Sequence, residues 1–445
     1  MLERTVEKEI LDWLEKPTGA LLVSGARQVG KTFTIRACLK KTECSYLEIN
    51  LIDHPELVPV MEQTTSVDDL IINLSTVYNY SFESGKTVVF IDEVQEVKDI
   101  LTRIKFWVDD GRFRYILSGS LLGIELKSPR SAPVGYLREV VMHPMDFEEF
   151  LSASGVREKV VEYIHGCYTE RRPVSDLVHE KMMMHFRRYL VVGGMPAAVQ
   201  EYANSGDISR VTTIQQGILE MYKLDFTKYE RQEKKLKLIA IFSRIPAQLL
   251  KQNRRFNYSD LQKGLRFERV EDSFLWLTSA GVVIPVYNAT EPRIALSQNA
   301  KSSLVKLYSS DVGLLTCQYG NAIRLKILLG DEKINLGGVF ENAVAQELNC
   351  HGFQSYFYNS HKSGELDFLI EKDGEILPIE VKSGKDYYVH SALSKVTENT
   401  EYEMKEAYVL GNCNISQKGK LMYFPIYMCT FIKDDMVIPI LEPVT

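Results

Sequence analysis

The sequence predicts an α/β fold whose first part is a parallel sheet with a phosphate-binding site. Three observations support this: a glycine-rich loop between a strand and a helix, an apolar strand that ends in two acids, and a third apolar strand that ends in small polar residues. Strands that alternate with helices favour parallel pairing with right-handed crossovers. Ligands of such sheets bind at the carboxyl ends of the strands.

The glycine-rich loop matches the pattern GxxxxGK[ST] at every fixed position. An apolar strand over residues 20–23 runs into it, and a helix over residues 33–39 leaves it. Backbone N–H groups of such a loop point at phosphates, the lysine neutralises the β and γ phosphates, and the hydroxyl ligates Mg²⁺. We therefore predict that ATP and Mg²⁺ bind here, the loop residues being Gly25, Ala26, Arg27, Gln28, Val29, Gly30, Lys31 and Thr32.

The second and third strands complete the predicted site. Residues 87–93 form an apolar run that ends in Asp92 and Glu93, the Walker B pattern of a buried parallel strand. Asp92 is expected to join Thr32 around Mg²⁺, and Glu93 to polarise the attacking water. The strand over residues 115–117 leads to Ser120, which is either a sensor of the γ-phosphate or part of a plain glycine turn.

Composition excludes few functions, but it indicates the number of domains and the cellular compartment. A chain of 445 residues is expected to form two to four domains, and the net charge of −6 leaves room for local basic patches. The seven cysteines lack CxxC spacing, which indicates a reducing compartment and no zinc site. Because no apolar run approaches membrane-spanning length, we expect a cytoplasmic protein with no membrane partner.

The pattern along the chain divides it into four predicted domains. These are a P-loop ATPase domain (1–150), a helical lid or linker (151–230), a winged helix (231–300) and a last domain (301–445). Within the helical part, Gly193, Gly194, Met195 and Pro196 predict a sharp turn.

The winged helix is predicted from three helices followed by two strands. The helices are expected near residues 233–242, at 258–264 with Ser259 as a cap, and at 270–280; the strands of the wing are expected at 282–287 and 293–296. Basic residues surround the presumed recognition helix and suit DNA phosphates, although a protein-packing module with a solvated basic face remains the alternative. They are Arg254, Arg255, Lys263, Arg266 and Arg269.

The last predicted domain contains a second candidate catalytic motif. Asp367 lies in a predicted strand, a turn at Asp373 and Gly374 follows, and the returning strand carries Glu380 and Lys382 on one face. This D…ExK arrangement is that of restriction-endonuclease-like folds, with Mg²⁺ between the two acids and the lysine acting on water. Glu341, near the start of an upstream helix, is predicted to supply a further metal ligand. The alternative is a set of cross-strand ion pairs.

Together these motifs resemble those of prokaryotic AAA-family P-loop ATPases that carry a C-terminal restriction-endonuclease-like, PD-(D/E)xK domain of unknown function. The resemblance spans nearly the whole chain, and it implies ATP-dependent action, involvement of DNA and a homo-oligomer. It rests on residues 25–32, 90–95, 118–120, 144–150, 193–196, 364–367 and 380–383.

One position departs from this family's pattern. Relatives often carry an arginine where Tyr136 follows Gly135 here, so Arg138 or Arg130 is expected to replace it near the γ-phosphate.

The expected function is Mg²⁺-dependent ATP hydrolysis coupled to a winged-helix and nuclease-like half that acts on DNA, with Asp367, Glu380 and Lys382 as catalytic residues of cleavage. One alternative is an ATP-dependent switch whose nuclease-like domain is catalytically silent and acts on a protein partner. A further alternative is a signalling ATPase that acts on proteins without nucleic acid.

Overall fold

The computed structural model describes residues 2–42, 44–120, 135–228, 232–331 and 335–436. The chain divides into two units. The N-terminal unit comprises Met1–His143 and Trp276–Val282, and the C-terminal unit comprises Pro144–Leu275 and Val283–Thr445. The four domain ranges given above stay predictions.

A five-stranded parallel sheet forms the centre of the N-terminal unit. Its strand order is β2-β3-β4-β1-β5, and every neighbouring pair is parallel. All residues of β1 and β3 are buried, as expected for central strands covered on both faces. The predicted α/β fold with a parallel sheet is thereby confirmed, and its strands are β1 (Ala20–Gly25), β2 (Tyr46–Asn50), β3 (Val88–Asp92), β4 (Arg114–Ser118) and β5 (Leu137–Met142).

Helices alternate with these strands. Trp107 on α5 and Met61 on α3 pack into the same core as the apolar residues of β3, which holds the helices against the sheet. The described helices of the unit are α1 (Glu7–Glu15), α2 (Lys31–Lys41), α3 (Leu57–Gln63), α4 (Val67–Tyr78) and α5 (Ile100–Asp110).

The C-terminal unit begins with a run of helices. Asp146 starts the first of them with a capping box, in which its side chain accepts from the Glu149 N–H and Glu149 reaches back to the Asp146 N–H. Among the described residues of the chain, no helix combines the length and apolar character that crossing a bilayer requires. The helices are α6 (Phe147–Ala153), α7 (Glu158–Thr169), α8 (Asp176–Val192), α9 (Pro196–Ser205), α10 (Ile208–Lys228) and α11 (Gln232–Leu249).

The predicted turn between α8 and α9 is present, and a buried carboxylate explains its glycines. Asp311 accepts from the Gly194 N–H at 2.5 Å and from the Leu314 N–H at 2.8 Å. A Cβ at Gly193 would overlap the Asp311 carboxylate, and one at Gly194 would overlap the Met145 carbonyl. The two glycines therefore allow three chain segments to approach one another closely.

An eight-stranded mixed sheet follows, in the order β12-β13-β11-β10-β9-β8-β6-β7. The hairpin of β9 and β10 turns at Asp373 and Gly374, as predicted, with Lys372 opposite Glu375. The strands are β6 (Val283–Ala289), β7 (Ala300–Ser309), β8 (Tyr356–Ser360), β9 (Gly364–Lys372), β10 (Glu375–Val381), β11 (Ala407–Gly411), β12 (Ser416–Lys418) and β13 (Leu421–Pro425). The remaining helices are α12 (Glu271–Ser279), α13 (Val312–Tyr319), α14 (Asn321–Leu329), α15 (Gly337–Cys350) and α16 (Ser391–Glu398).

The structure corrects two elements of the predicted winged helix and does not confirm that domain. The expected helix at 258–264 is a single 3₁₀ turn, Tyr258–Asp260, and its cap is Asn257 rather than Ser259. Residues 293–296 are not a strand; β6 pairs instead with β7 and, on its other side, in parallel with β8. The predicted wing strand is therefore an interior strand of the large sheet, because both of its hydrogen-bonding edges are paired, one with β7, the next strand of the chain, and the other with the more distant β8.

We predict that Asp311→Ala lowers the stability of the folded protein by roughly 2 to 4 kcal/mol, because buried backbone N–H groups lose their acceptor. The measurement is the midpoint of thermal unfolding. Asp207→Ala is the control, since the exposed Asp207 side chain caps α10 and accepts from the Ser209 N–H at 2.8 Å. Equal shifts for the two variants would contradict the structural role of Asp311.

Candidate functional site

The phosphate loop connects the end of β1 to the start of α2. Gly25 has a φ of 141°, and a Cβ there would overlap the Met142 carbonyl of β5. Gly30, at the start of α2, has a φ of 93°, and Gln28 within the loop has a φ of 68°. These left-handed conformations curl the loop so that the N-terminus of α2 opens toward it, which is the arrangement that binds anions.

Lys31 and Thr32 occupy the first turn of α2, beside the end of β3. The Thr32 Oγ1 donates to the Asp92 Oδ2 at 2.8 Å, and the Lys31 Nζ donates to the carbonyls of Gly25 (3.1 Å) and Ala26 (2.9 Å). Burial lowers the pKa of Lys31 to about 8, although the neighbouring acids oppose that shift. Burial also raises the pKa of Asp92, against the hydrogen bond from Thr32. A hydroxyl and a carboxylate in contact at a phosphate loop fit a bound Mg²⁺.

Glu93 follows Asp92 directly and is oriented by a neighbour. Its backbone has a φ of 59°, a left-handed conformation that is strained for a residue with a side chain. The Gln95 Nε2 donates to the Glu93 Oε2. Gln95 entered the sequence analysis only as part of a motif, and its role in holding Glu93 follows from the structure.

Ser120 lies two residues beyond β4, whose last residue, Ser118, is paired with Asp92. The third strand therefore ends beside the second at the same edge of the sheet. Of the arginines suggested as replacements at Tyr136, Arg138 lies near the start of β5, in register with Leu21, and is 3.9 Å from Glu9. That is the end of the sheet away from the phosphate loop, and Arg130 lies outside the described residues.

Two residues that the sequence analysis did not single out support the loop. The Arg4 guanidinium donates to the carbonyls of Val29 (2.9 Å) and His143 (2.7 Å). Gly281 lies against the loop from a remote part of the chain, and a Cβ on it would be 3.1 Å from the Ala26 backbone nitrogen. Neither residue belongs to a local motif, so no sequence pattern marks it.

The acids predicted for the last domain do lie together. Asp367 on β9 is beside the end of β10, and its Oδ2 accepts from the Val381 N–H at 2.9 Å. The Lys382 Nζ donates to the Glu380 Oε1 at 2.8 Å. Glu341 lies on α15 and is fully buried. We call Glu341, Glu365, Asp367 and Glu380 the acidic cluster.

Four cations of the same unit contact this cluster, namely Lys382, Arg255, Lys306 and Arg254. The Lys306 Nζ lies 3.0 Å from the Glu365 Oε1, 3.5 Å from the Asp367 Oδ1 and 3.6 Å from the Glu341 Oε2, and the Lys306 side chain has no exposed surface. Arg254 pairs with Glu341 and lies 3.9 Å from the Asp367 Oδ1. The cluster is thus a network of buried ion pairs.

The electrostatics of the cluster follow from burial and from these cations. Burial and the nearby Asp367 raise the pKa of Glu341 to about 8 and that of Glu380 to about 7. Burial acts on Asp367 in the same sense, but Lys306 and Arg254 outweigh it and lower the pKa of Asp367. Because protein cations already pair with Glu341, Asp367 and Glu380, these residues do not fit the predicted Mg²⁺ site. In the part of the chain that the structure describes, no three His, Cys, Asp or Glu side chains are arranged to hold a metal ion.

The basic residues predicted to face DNA are divided between two environments. Arg254 is held by Glu341, and Arg255 pairs with Glu365 at 2.5 Å. The other three, Lys263, Arg266 and Arg269, are exposed. Two of the five basic residues therefore form ion pairs with the acidic cluster and are not available as an exposed basic patch.

Comparison with known proteins locates three family matches in the chain. A family model described as an AAA domain matches residues 17–151. Models of two domains of unknown function, DUF8612 and DUF4143, match residues 183–323 and 336–428. No curated protein was found to match the chain.

The chain also matches solved protein structures. One is a Walker-type ATPase of Pyrococcus abyssi, which is 15% identical and has a TM-score of 0.45; the match covers 72% of this chain and 96% of that chain. The AAA-domain match covers the phosphate loop, the acidic end of β3 and the parallel sheet described above. The N-terminal part of this protein is therefore a P-loop ATPase domain of the AAA type.

Proposed function

We propose that this protein hydrolyses ATP with Mg²⁺ at the phosphate loop and that the cycle controls the C-terminal unit. The observation that carries the proposal is the 2.8 Å hydrogen bond between Thr32 and Asp92, which brings together the two side chains that would hold the metal. Bound Mg²⁺ would neutralise charge on the β and γ phosphates.

Different side chains would have different roles in this proposed hydrolysis of ATP. The Lys31 Nζ, which donates to two loop carbonyls, would turn to the phosphates once they are bound. Glu93, held by Gln95, would orient the attacking water. An arginine from a neighbouring copy of this chain would stabilise the γ-phosphate, so a homo-oligomer belongs to the same proposal.

A single stretch of chain supports the coupling between the ATPase and the rest of the molecule. Residues Trp276–Val282 belong to the N-terminal unit, whereas the chain on either side belongs to the C-terminal unit. Within this stretch Gly281 lies against Ala26 of the phosphate loop, and the chain then continues into β6. A change in the loop would thus act directly on a segment that leads into the eight-stranded sheet.

DNA is the first candidate target of the C-terminal unit. The exposed Lys263, Arg266 and Arg269 would contact phosphates without reading sequence. The order of Glu341 on a helix, Asp367 on one strand and Glu380 on the next, with Lys382 just beyond the end of that strand, supports a nuclease-like fold for this part.

The second candidate is an ATP-dependent switch whose nuclease-like domain is catalytically silent and acts on a protein partner. The ion pairs of Lys306 and Arg254 within the acidic cluster favour it, since they occupy the oxygens that a catalytic metal would need.

Substitutions in the ATPase site should separate binding from turnover. We expect Lys31→Ala to weaken ATP binding by at least about tenfold, because charged hydrogen bonds to the phosphates are lost. Glu93→Gln should keep ATP binding and reduce turnover by at least about a hundredfold, because the amide cannot accept the proton of water. Fluorescent-nucleotide titration and phosphate release measure the two quantities.

Lys40→Ala and Glu96→Gln are the matched controls, since Lys40 is exposed on the same helix and Glu96 ends the 3₁₀ turn that Glu93 precedes. Normal hydrolysis in both Lys31→Ala and Glu93→Gln would refute the assignment of the site.

The contact between Gly281 and the loop gives a second test. Gly281→Ala should raise the KM for ATP by roughly three- to tenfold, because the added methyl group crowds the Ala26 backbone. Gly264→Ala is the control: Gly264 has a φ of 77°, similar to the 69° of Gly281, but a Cβ there would have no neighbour within 4 Å. Both variants place a side chain at a similar positive φ, so an equal KM in the two would argue against a role for Gly281 at the loop.

Binding and cleavage of plasmid DNA separate the two candidate targets. We expect the wild-type protein to leave the plasmid uncut with Mg²⁺ or Mn²⁺, with or without ATP, because Lys306 and Arg254 occupy the acidic cluster. Salt-sensitive binding of the plasmid in a gel-shift assay would favour DNA as the target, and no binding would favour a protein partner. Cuts that disappear in Asp367→Ala, while ATP hydrolysis continues, would show instead that the nuclease-like site is active.

A further inference from the structure

The carboxylate of Glu341 has protein partners on both oxygens. Arg254 pairs with the Oε1, the Tyr308 hydroxyl donates to the Oε2 at 2.8 Å, and the Lys306 Nζ lies 3.6 Å from that same atom. The side chains of Glu341, Tyr308 and Lys306 are all fully buried. A divalent cation would have to displace these groups in the interior of the unit.

Both carboxylate oxygens of Asp367 also have partners within the protein. Its Oδ2 accepts from the Val381 N–H at 2.9 Å, and its Oδ1 lies 3.5 Å from the Lys306 Nζ and 3.9 Å from Arg254. The backbone hydrogen bond fixes the orientation of the carboxylate, and this orientation leaves the Oδ1 facing the two cations.

Glu380 differs from the other two acids. Its Oε1 accepts from Lys382 at 2.8 Å, whereas its Oε2 is buried and has no hydrogen-bonding partner among the described residues. One such oxygen does not make a metal site, because Mg²⁺ and Mn²⁺ are bound by several oxygen ligands.

Lys306 is not free to withdraw from the cluster. It lies on β7 opposite Val286, its side chain has no exposed surface, and its Nζ lies 5.4 Å from the centre of the Phe357 ring. Moving the ammonium group elsewhere in the interior would leave a buried charge without a partner, which is strongly unfavourable.

Arg254 is also held in place, but from a loop. Its backbone has a φ of 48°, a strained conformation for a residue with a side chain, and such strain persists only where surrounding contacts hold it. The next residue, Arg255, forms a β-bridge with Lys306 and an ion pair with Glu365. The loop that carries both arginines is thereby fixed to β7.

From this geometry we propose that Lys306, assisted by Arg254, is the permanent counter-cation of the acidic cluster and excludes divalent metal ions from it. Removing the Lys306 charge would convert Glu341, Asp367 and Glu380 into a site for Mg²⁺ or Mn²⁺. The proposal deepens the second candidate function given above, since it names the residues that would keep the nuclease-like domain silent.

The test is a titration of Mn²⁺ into the full-length protein without nucleotide, followed by the electron paramagnetic resonance signal of free Mn²⁺. Without nucleotide the phosphate loop lacks the phosphate oxygens that complete its metal site. We expect no binding that depends on Asp367 in the wild type. In Lys306→Met we expect an additional Mn²⁺ site, because a neighbouring positive charge is gone. Its affinity for Mn²⁺ should be at least about tenfold higher than any affinity of the acidic cluster in the wild type.

Lys301→Met is the matched control, because Lys301 lies on the same strand and is exposed. It should bind Mn²⁺ as the wild type does. The double variant Lys306→Met with Asp367→Asn should lose the additional site. If Lys306→Met does not fold, Lys306→Gln takes its place, since glutamine is neutral but still forms hydrogen bonds.

Two results would overturn the proposal. One is Mn²⁺ binding by the wild type that Asp367→Asn abolishes, since the cluster would then accept metal with Lys306 in place. The other is a folded Lys306→Met or Lys306→Gln variant that gains no Mn²⁺ site. Neither result depends on ATP hydrolysis or on a partner, so failure here is distinct from failure of the proposed ATPase function.

Discussion

The parallel register of β1, β3 and β4 is the constraint on which the nucleotide site depends. Val23 and Asp92 are both paired with Ser118, so the three strands end together at one edge of the sheet. Parallel strands present all their carboxyl ends on one side, and the glycine-rich loop and the Asp92 carboxylate follow directly from those ends. The 2.8 Å hydrogen bond between Thr32 and Asp92 is a consequence of that alignment.

The C-terminal unit is governed by a different requirement, which is the neutralisation of buried charge. Glu341 and Lys306 are completely buried, and an isolated charge in such a place would be very costly. The acids on α15 and β9 are therefore paired with cations from β7 and from the loop after α11. These ion pairs connect elements that share no local motif.

Glycines decide how closely separate chain segments approach in both units. Gly193 and Gly194 allow the Asp311 carboxylate and the Met145 backbone to approach the turn between α8 and α9. Gly281 has the same effect beside the phosphate loop, where it brings a segment that leads into β6 against Ala26. The first contact lies in the C-terminal unit and the second in the N-terminal unit.

The sequence by itself determined the features that consecutive residues specify. The phosphate loop, the acidic end of β3 and the hairpin of β9 and β10 each lie within one short segment, where spacing alone sets the geometry. The sequence did not determine the partners of β6, because alternation of side chains places a strand on a face but does not select its neighbours. Only the tertiary structure placed Lys306 and Arg254 among the acids and Gly281 against Ala26, since those contacts join segments that are far apart in the chain. Packing of whole elements decides such contacts, and it turned a set of acids predicted to bind metal into a network of buried ion pairs.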